Sequence, residues 1–118
     1  MSQRQDAALE RAREVADRLT GLGAVSVSRF FSGAAIAIGG VQFAFIIEGT
    51  LYLRTDDESR PEFEALGAAP FRYGGRTRSV KVSSYFEAPD EVVDDADTLR
   101  RWAARSHQAA VGARRRRV

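Results

Sequence analysis

Alternation of apolar and polar residues dominates the middle of the chain, where two glycine-containing turns separate three apolar runs. The runs lie between Phe30 and Asp56, and the turns are Gly39-Gly40 and Glu48-Gly49. Both turns contain residues that tolerate the positive φ of a two-residue hairpin loop. The pattern therefore predicts a three-stranded antiparallel meander. In its central strand, the alternation predicts one face with Val41, Phe43, Phe45 and Ile47, and the other with Gln42, Ala44, Ile46 and Glu48.

One helix is predicted before this meander and one directly after it. From Gln3 to Leu22, apolar residues recur every three or four positions, which is typical of an amphipathic helix. A short middle helix is predicted after the meander, because Ser59 lies three residues before Glu62 in the spacing of a capping box. Gly67 is its predicted C-terminal cap.

A last helix is predicted to begin near Asp94, Asp95 or Asp97, whose carboxylates can accept hydrogen bonds from free backbone N–H groups. It is predicted to end at Gly112. Its inward stripe consists of Leu99, Trp102, Ala103, Ser106 and Ala110. His107 in this helix has no second ligand at a metal-binding spacing.

Further strands are predicted at Val25–Phe31 and Ser79–Glu87, with an extended piece at Pro70–Tyr73. The order of elements indicates an α+β domain, in which an N-terminal, a short middle and a C-terminal helix pack on an antiparallel sheet. We expect one domain at 1–110 and a basic, flexible tail at 111–118.

Composition narrows the functional classes. The 118 residues include no cysteine, which excludes disulfides, thiolate metal sites and a cysteine nucleophile. The N-terminus lacks the apolar core of a signal peptide, and the longest apolar run is too short to span a membrane. We expect a cytoplasmic protein with no membrane partner and no cofactor.

Positive charge is concentrated at the C-terminus. The chain has 18 basic and 16 acidic residues, and Arg114 to Arg117 account for four of the basic ones. The rest of the chain is therefore slightly acidic. Nucleic-acid-binding folds more often spread their basic residues over one face of the folded body.

Two short motifs admit both a functional and a structural interpretation. The run Asp56-Asp57-Glu58 could bind a metal, but carboxylates before a helix are already favoured by the helix dipole, and we favour a capping role. Gly74-Gly75 lacks the lysine and hydroxyl residue of a P-loop, so a hairpin turn is favoured there.

Several segments together resemble the TfoX (Sxy) N-terminal domain family of bacterial competence regulators. Gly40, Phe43 and Ala44 fit the family element G-x-x-F-A-L, with Phe45 in place of leucine. Leu51 to Asp56 fits L-Y-L-K-x-D, with Arg54 in place of lysine. The remaining matches are Phe71 and Tyr73 in P-F-x-Y, and Trp102 in the last helix.

The first family element, R-x-M-F-G-G, is changed in this chain to the segment from Arg29 to Gly33, which reads RFFSG. The resemblance implies a secretion-chaperone-like α+β fold and carries no catalytic residues. The family-motif positions, whose role is unassigned, are Arg29, Gly33, Gly40, Phe43, Tyr52, Arg54, Asp56, Phe71, Tyr73 and Trp102.

Three functions are compatible with these features. The first is a stand-alone, non-enzymatic regulatory or adaptor domain that binds a protein, such as a transcription factor or a second copy of itself. The second is nucleic-acid binding through Arg76, Arg78, Arg114, Arg115, Arg116 and Arg117. The third is a small-ligand site or enzyme pocket under Tyr52, Tyr73 and Tyr85, although aromatic residues on strands are more often part of a core.

Overall fold

The structure, a computed structural model, describes residues 3–74 and 78–116. Its six strands form one antiparallel sheet in the order β1-β2-β3-β4-β6-β5. The elements are α1 (Gln3–Asp17), β1 (Val25–Phe30), β2 (Gly33–Ile38), β3 (Val41–Ile47), β4 (Thr50–Arg54), α2 (Arg60–Ala65), β5 (Pro70–Tyr73), β6 (Val80–Glu87), α3 (Asp90–Val93) and α4 (Ala96–Arg116). The predicted α+β class is confirmed.

The predicted meander corresponds to β2, β3 and β4, and both predicted turns are present. Gly39 and Gly40 have φ values of 59° and 80°, and Glu48 and Gly49 have φ values of 51° and 80°. Two successive residues with positive φ are the signature of the type I′ turn, whose twist matches that of the adjoining strands. Turn chemistry therefore fixes the register of these hairpins.

The predicted division of β3 into two faces is wrong for its first half. Ile36 pairs with Ala44 and Ala37 pairs with Gln42, so Phe43 is an extra residue without an opposite partner. This β-bulge shifts the alternation of side chains between the two faces of the sheet by one residue. Phe43 consequently joins Ala44 and Ile46 in the core under the helices, whereas Phe45 lies on the opposite face.

Helices α1 and α4 cover one face of the sheet. Ala12 and Val15 of α1 and Leu99 and Ala103 of α4 are buried against strand residues such as Phe43. The N-terminal helix ends at Asp17, before the predicted Leu22, and the chain continues through tight turns that bury Leu19. The amphipathic pattern thus extends beyond the helix because the turns also face the core.

The predicted capping box before α2 is wrong, although its C-terminal cap is correct. Ser59 makes no side-chain hydrogen bond to the helix, and its Oγ accepts a bond from the backbone N–H of Asp56 instead. The Asp56 carboxylate caps this turn by accepting hydrogen bonds from the N–H groups of Glu58 and Ser59, at 3.1 and 2.8 Å. Gly67 has a φ of 77° and closes the other end.

Helix α4 is longer than predicted. It begins as expected, since Asp95 accepts a hydrogen bond of 2.9 Å from the backbone N–H of Thr98. It does not end at Gly112, however, but continues through Arg116. Alanine and arginine favour the helix on both sides of the glycine, and arginines in a last turn are stabilised by the helix dipole.

Within the described ranges, the helices are too short or too polar to cross a membrane.

The hairpin between β5 and β6 places Tyr73 opposite Val80, in keeping with the predicted turn. Of the predicted turn residues, Gly75 lies outside the described residues.

Candidate functional site

The second face of the sheet carries a cluster of aromatic side chains, which we call the open aromatic face. Ala35, Phe45 and Tyr85 are buried at its centre, and Phe30, Ile47, Tyr52 and Phe71 are partly buried around them. All of these residues belong to strands. No helix in the described part of the chain contributes to this cluster, so its outer side is not covered as the opposite face is.

Phe45 organises the open aromatic face. Its ring centroid lies 4.6 Å from that of Tyr85, 4.9 Å from Phe71, 5.0 Å from Phe30 and 5.3 Å from Tyr52. These are the separations at which aromatic pairs are favourable. The cluster is therefore a second, smaller core made without helices.

The proposed ligand pocket under Tyr52, Tyr73 and Tyr85 is occupied by phenylalanine rings. Phe71 lies 4.9 Å from Tyr52 and 6.3 Å from Tyr73, while Phe45 contacts Tyr85. Burial raises the pKa of Tyr85, and burial together with the nearby Glu87 carboxylate raises that of Tyr52. Both phenols therefore remain neutral at physiological pH.

The hairpin turn between β1 and β2 projects a phenylalanine into solvent. Phe31 is 84% exposed as a residue, and its φ is 51°. Positive φ is uncommon for a bulky side chain and marks a conformation that the surrounding structure must hold in place. We refer to Phe31 and Ser32 as the hairpin tip.

Helix α1 holds the hairpin tip through Gln5. The Nε2 of Gln5 donates hydrogen bonds of 3.0 Å to the carbonyl oxygens of Phe31 and Gly33. Its Oε1 accepts a hydrogen bond of 3.2 Å from Nη1 of Arg29. The family-motif residue Arg29 thus contacts the side chain that holds the hairpin tip.

Gly33 follows the hairpin tip where two strands approach closely. A Cβ atom at this position would lie 1.8 Å from the backbone oxygen of Ile46. A side chain is therefore sterically excluded, which explains the glycine at this family-motif position. An open groove of about 650 Å³ lies beside the tip, lined by Arg4, Ala7, Ala8, Arg11, Ser32, Glu48 and Gly49.

The other family-motif residues have structural contacts that explain them individually. Gly40 forms its turn, Phe43 fills the core and Asp56 caps α2. Trp102 lies 4.8 Å from the ring of Phe63 and anchors α4 on α2. The structure brings Tyr52, Phe71 and Tyr73 together on the open aromatic face, whereas Arg29 and Gly33 belong to the hairpin.

Arg54 lies at the end of β4 that is closest to the C-terminal turns of α4. Its Cζ atom is 5.5 Å from the ring centroid of Tyr85. Together with Gln42 and Arg114, it borders a cavity of about 250 Å³ between α4 and the start of β3. This cavity lies apart from the hairpin tip.

The predicted nucleic-acid contacts are only partly within the described residues. Arg114, Arg115 and Arg116 are exposed in the last turn of α4, and Arg78 is exposed before β6. Arg76 and Arg117 lie outside the described residues.

Sequence reasoning did not identify His107 and Gln5 as contact residues. The Nε2 of His107 lies 3.1 Å from the carbonyl oxygen of Ile38 and joins α4 to β2. Gln5 precedes Ala8, Leu9 and Ala12 on the inward stripe of α1, and a polar residue in an apolar stripe is the signal that could have revealed it. Among residues 3–74 and 78–116, no cluster of metal-ligating side chains occurs.

Comparison with known proteins assigns the family. A comparison with curated proteins gives no match. The family model for the TfoX N-terminal domain matches residues 17–110, which is most of the 118-residue chain and includes every strand. The sheet, the motif residues on it and this match together show that the chain belongs to the TfoX N-terminal domain family.

Proposed function

We propose that this chain is a non-enzymatic regulatory domain that binds a protein partner through Phe31. The observation that carries the proposal is the combination of high exposure and positive φ at this residue, which is 84% exposed and has a φ of 51°. Membership of the TfoX N-terminal domain family supports a regulatory role.

Folding alone does not explain a phenylalanine at this position. Left-handed backbone costs an L-residue other than glycine about 1–2 kcal/mol, and asparagine or glycine adopts it more readily. The exposed ring gains little from burial within its own chain. A partner that buries the ring would supply the missing gain, because aromatic side chains are frequent anchors at the centre of protein interfaces.

The hairpin tip is also prepared for binding. Gln5 restrains the backbone on both sides of the turn, so little conformational freedom remains to be lost when a partner binds. The Phe31 ring lies 4.7 Å from Phe30, which in turn lies 5.0 Å from Phe45. A partner with an apolar pocket for Phe31 would therefore also reach the edge of the open aromatic face.

Replacement of Phe31 by asparagine tests this proposal. Asparagine tolerates positive φ, so Phe31→Asn is expected to keep the fold while removing the aromatic anchor. Tagged wild-type and variant proteins would be used to retain partners from a lysate of the source cells, and binding of the recovered partner would be measured by interferometry. We expect at least a tenfold loss of affinity, which corresponds to about 1.4 kcal/mol.

Leu66→Gln is the matched control, because Leu66 is also an exposed large apolar residue, at the end of α2. It should bind as the wild type does. Light scattering across a concentration series would show whether the partner is a second copy of the chain. Equal binding by the wild type and Phe31→Asn would contradict the proposal.

Nucleic-acid binding is a second candidate, and it is supported by the continuation of α4 to Arg116. Arg114 to Arg116 are exposed there in successive positions, where they could contact phosphate groups. The double variant Arg115→Gln/Arg116→Gln should weaken DNA binding and reduce its salt dependence relative to the wild type. Unchanged binding across salt concentrations would assign no such role to these residues.

A further inference from the structure

We propose that the cavity between the C-terminal turns of α4 and the start of β3 binds the carboxylate or phosphate group of a small anionic ligand, held by Arg54 and Arg114. We call this cavity the arginine groove. The proposal does not depend on the protein partner at Phe31, because the two surfaces share no lining residue.

The lining of the arginine groove fits an anion of limited size. Its volume is about 250 Å³, and it is lined by Gly40, Val41, Gln42, Arg54, Ala110, Ala113 and Arg114. Two of these residues are cationic and none is acidic. Pockets for drug-sized ligands have about 300–1,000 Å³, so this groove is suited to a smaller molecule.

Arg54 provides a fixed guanidinium group. Its Nε is buried, and this atom has no hydrogen-bond partner within the described part of the chain. Because Nε is buried, the outer N–H groups of the Arg54 guanidinium are the ones that can reach a ligand in the groove. A guanidinium presents its donors in a rigid plane that matches the two oxygens of a carboxylate or phosphate.

Contacts around Arg54 fix its position without neutralising its charge. Its Cζ lies over the Tyr85 ring at 5.5 Å. The pKa of Tyr85 is raised by burial, and this effect outweighs the opposing effects of Arg54 and Gln42, so the phenol stays uncharged. No ion pair of Arg54 or Arg114 with a carboxylate is found among the described residues.

The walls of the groove are held by the fold. The Gly39-Gly40 turn positions the start of β3, and the contact of 3.1 Å between His107 and the Ile38 carbonyl fixes α4 beside it. The carbonyl end of a helix disfavours an anion, but the arginines of the last turn oppose that effect. The two arginines therefore determine the sign of the ligand that fits.

Titration of the full chain with inorganic phosphate and with citrate, at constant ionic strength, tests the proposal. Amide NMR spectra should show saturable shifts at Gly40 to Gln42 and at Ala110 to Arg114 for at least one of the two anions. Arg54→Gln and Arg114→Gln should each weaken binding about tenfold, as expected when a hydrogen bond to a charged group is lost. Arg114 is exposed, so its variant should remain folded even if the Arg54 variant does not.

Arg100→Gln is the matched control, because it removes the same charge from an exposed position near the start of α4. It should bind both anions as the wild type does. Absence of saturable shifts, or equal weakening by Arg100→Gln, would overturn the proposal. Saturable binding of a short oligonucleotide without binding of either small anion would also overturn it and would assign the groove to nucleic acid.

Discussion

The side-chain amide of Gln5 donates a hydrogen bond of 3.0 Å to the backbone carbonyl oxygen of Phe31. A second bond of 3.0 Å reaches the carbonyl oxygen of Gly33, and Arg29 donates to the oxygen of the same amide. One glutamine thus joins the first helix to both sides of the hairpin tip. The conformation of Phe31 consequently depends on a residue that precedes it by 26 positions.

Replacement of Gln5 by leucine should loosen this connection. The variant leaves two carbonyl oxygens and the Arg29 guanidinium without their partner, and we expect it to lower the free energy of unfolding by about 1–2 kcal/mol. Urea denaturation would measure the change. Gln3→Leu, at an exposed position of the same helix, should have little effect, and an equal loss in both variants would contradict the connection.

Gly33→Ala should be far more disruptive than its small size suggests. The added Cβ would meet the Ile46 backbone oxygen at 1.8 Å, which β2 and β3 can relieve only by moving apart. We expect a loss of at least about 1–3 kcal/mol in thermal or urea denaturation. Gly21→Ala is the control, because no atom lies within 4 Å of its Cβ and its φ is not positive. Comparable melting of the two variants would contradict this steric account.

Phe43→Ala and Phe31→Asn should separate the residues of the core from those of the surface. Phe43 is completely buried, and its truncation should cost about 3–5 kcal/mol of stability. Phe31→Asn should leave stability unchanged or raise it, because asparagine suits the observed φ. Differential scanning calorimetry would compare both with the wild type. A large loss in Phe31→Asn would indicate that the ring is needed for folding.

Acid should lower the free energy of unfolding through Asp56, which caps the turn before α2. Hydrogen bonds from Ser59 and Glu58 lower the pKa of Asp56 in the folded chain, so folding is favoured when the carboxylate is ionised. This stabilisation is present above the unfolded pKa of about 3.9 and is lost as pH falls through the lower folded value.

The comparison of urea midpoints at pH 7 and pH 3 would show this effect. Asp56→Asn keeps an acceptor oxygen but has no charge to lose, so it should lose less stability on acidification than the wild type. The same acid sensitivity in Asp56→Asn and the wild type would contradict the role of Asp56.

The sequence was sufficient to predict the sheet because its signals are local. The Gly39-Gly40 and Glu48-Gly49 pairs mark turns with positive φ, and alternating side chains mark strands. The bulge at Phe43 could not be predicted in this way. An extra residue in a strand leaves the local composition unchanged, and only the pairing with β2 reveals it.

Three further features of the structure could not be predicted from the sequence, each for its own physical reason. A glycine such as Gly112 is typical of a helix end. The helix nevertheless continues, because the residues after it are strong helix formers. The hairpin tip contains phenylalanine and serine, and it lacks the glycine or asparagine from which a turn with positive φ would be predicted. The positive φ of Phe31 depends instead on tertiary contacts. The arginine groove joins residues from β3, β4 and α4, and no short motif could contain it.

The length of β3 also determines what lies at the mouth of the arginine groove. With the extra residue, Val41 packs towards the helices and Gln42 lies beside Tyr85. If the same sequence formed a regular strand with the pairing from Ala44 onwards kept, Phe43 would lie opposite Ala37 in place of Gln42, and Gln42 would lie opposite Ile38 and face the interior. The bulge therefore keeps a polar amide at the mouth of the arginine groove and places an aromatic ring in the core.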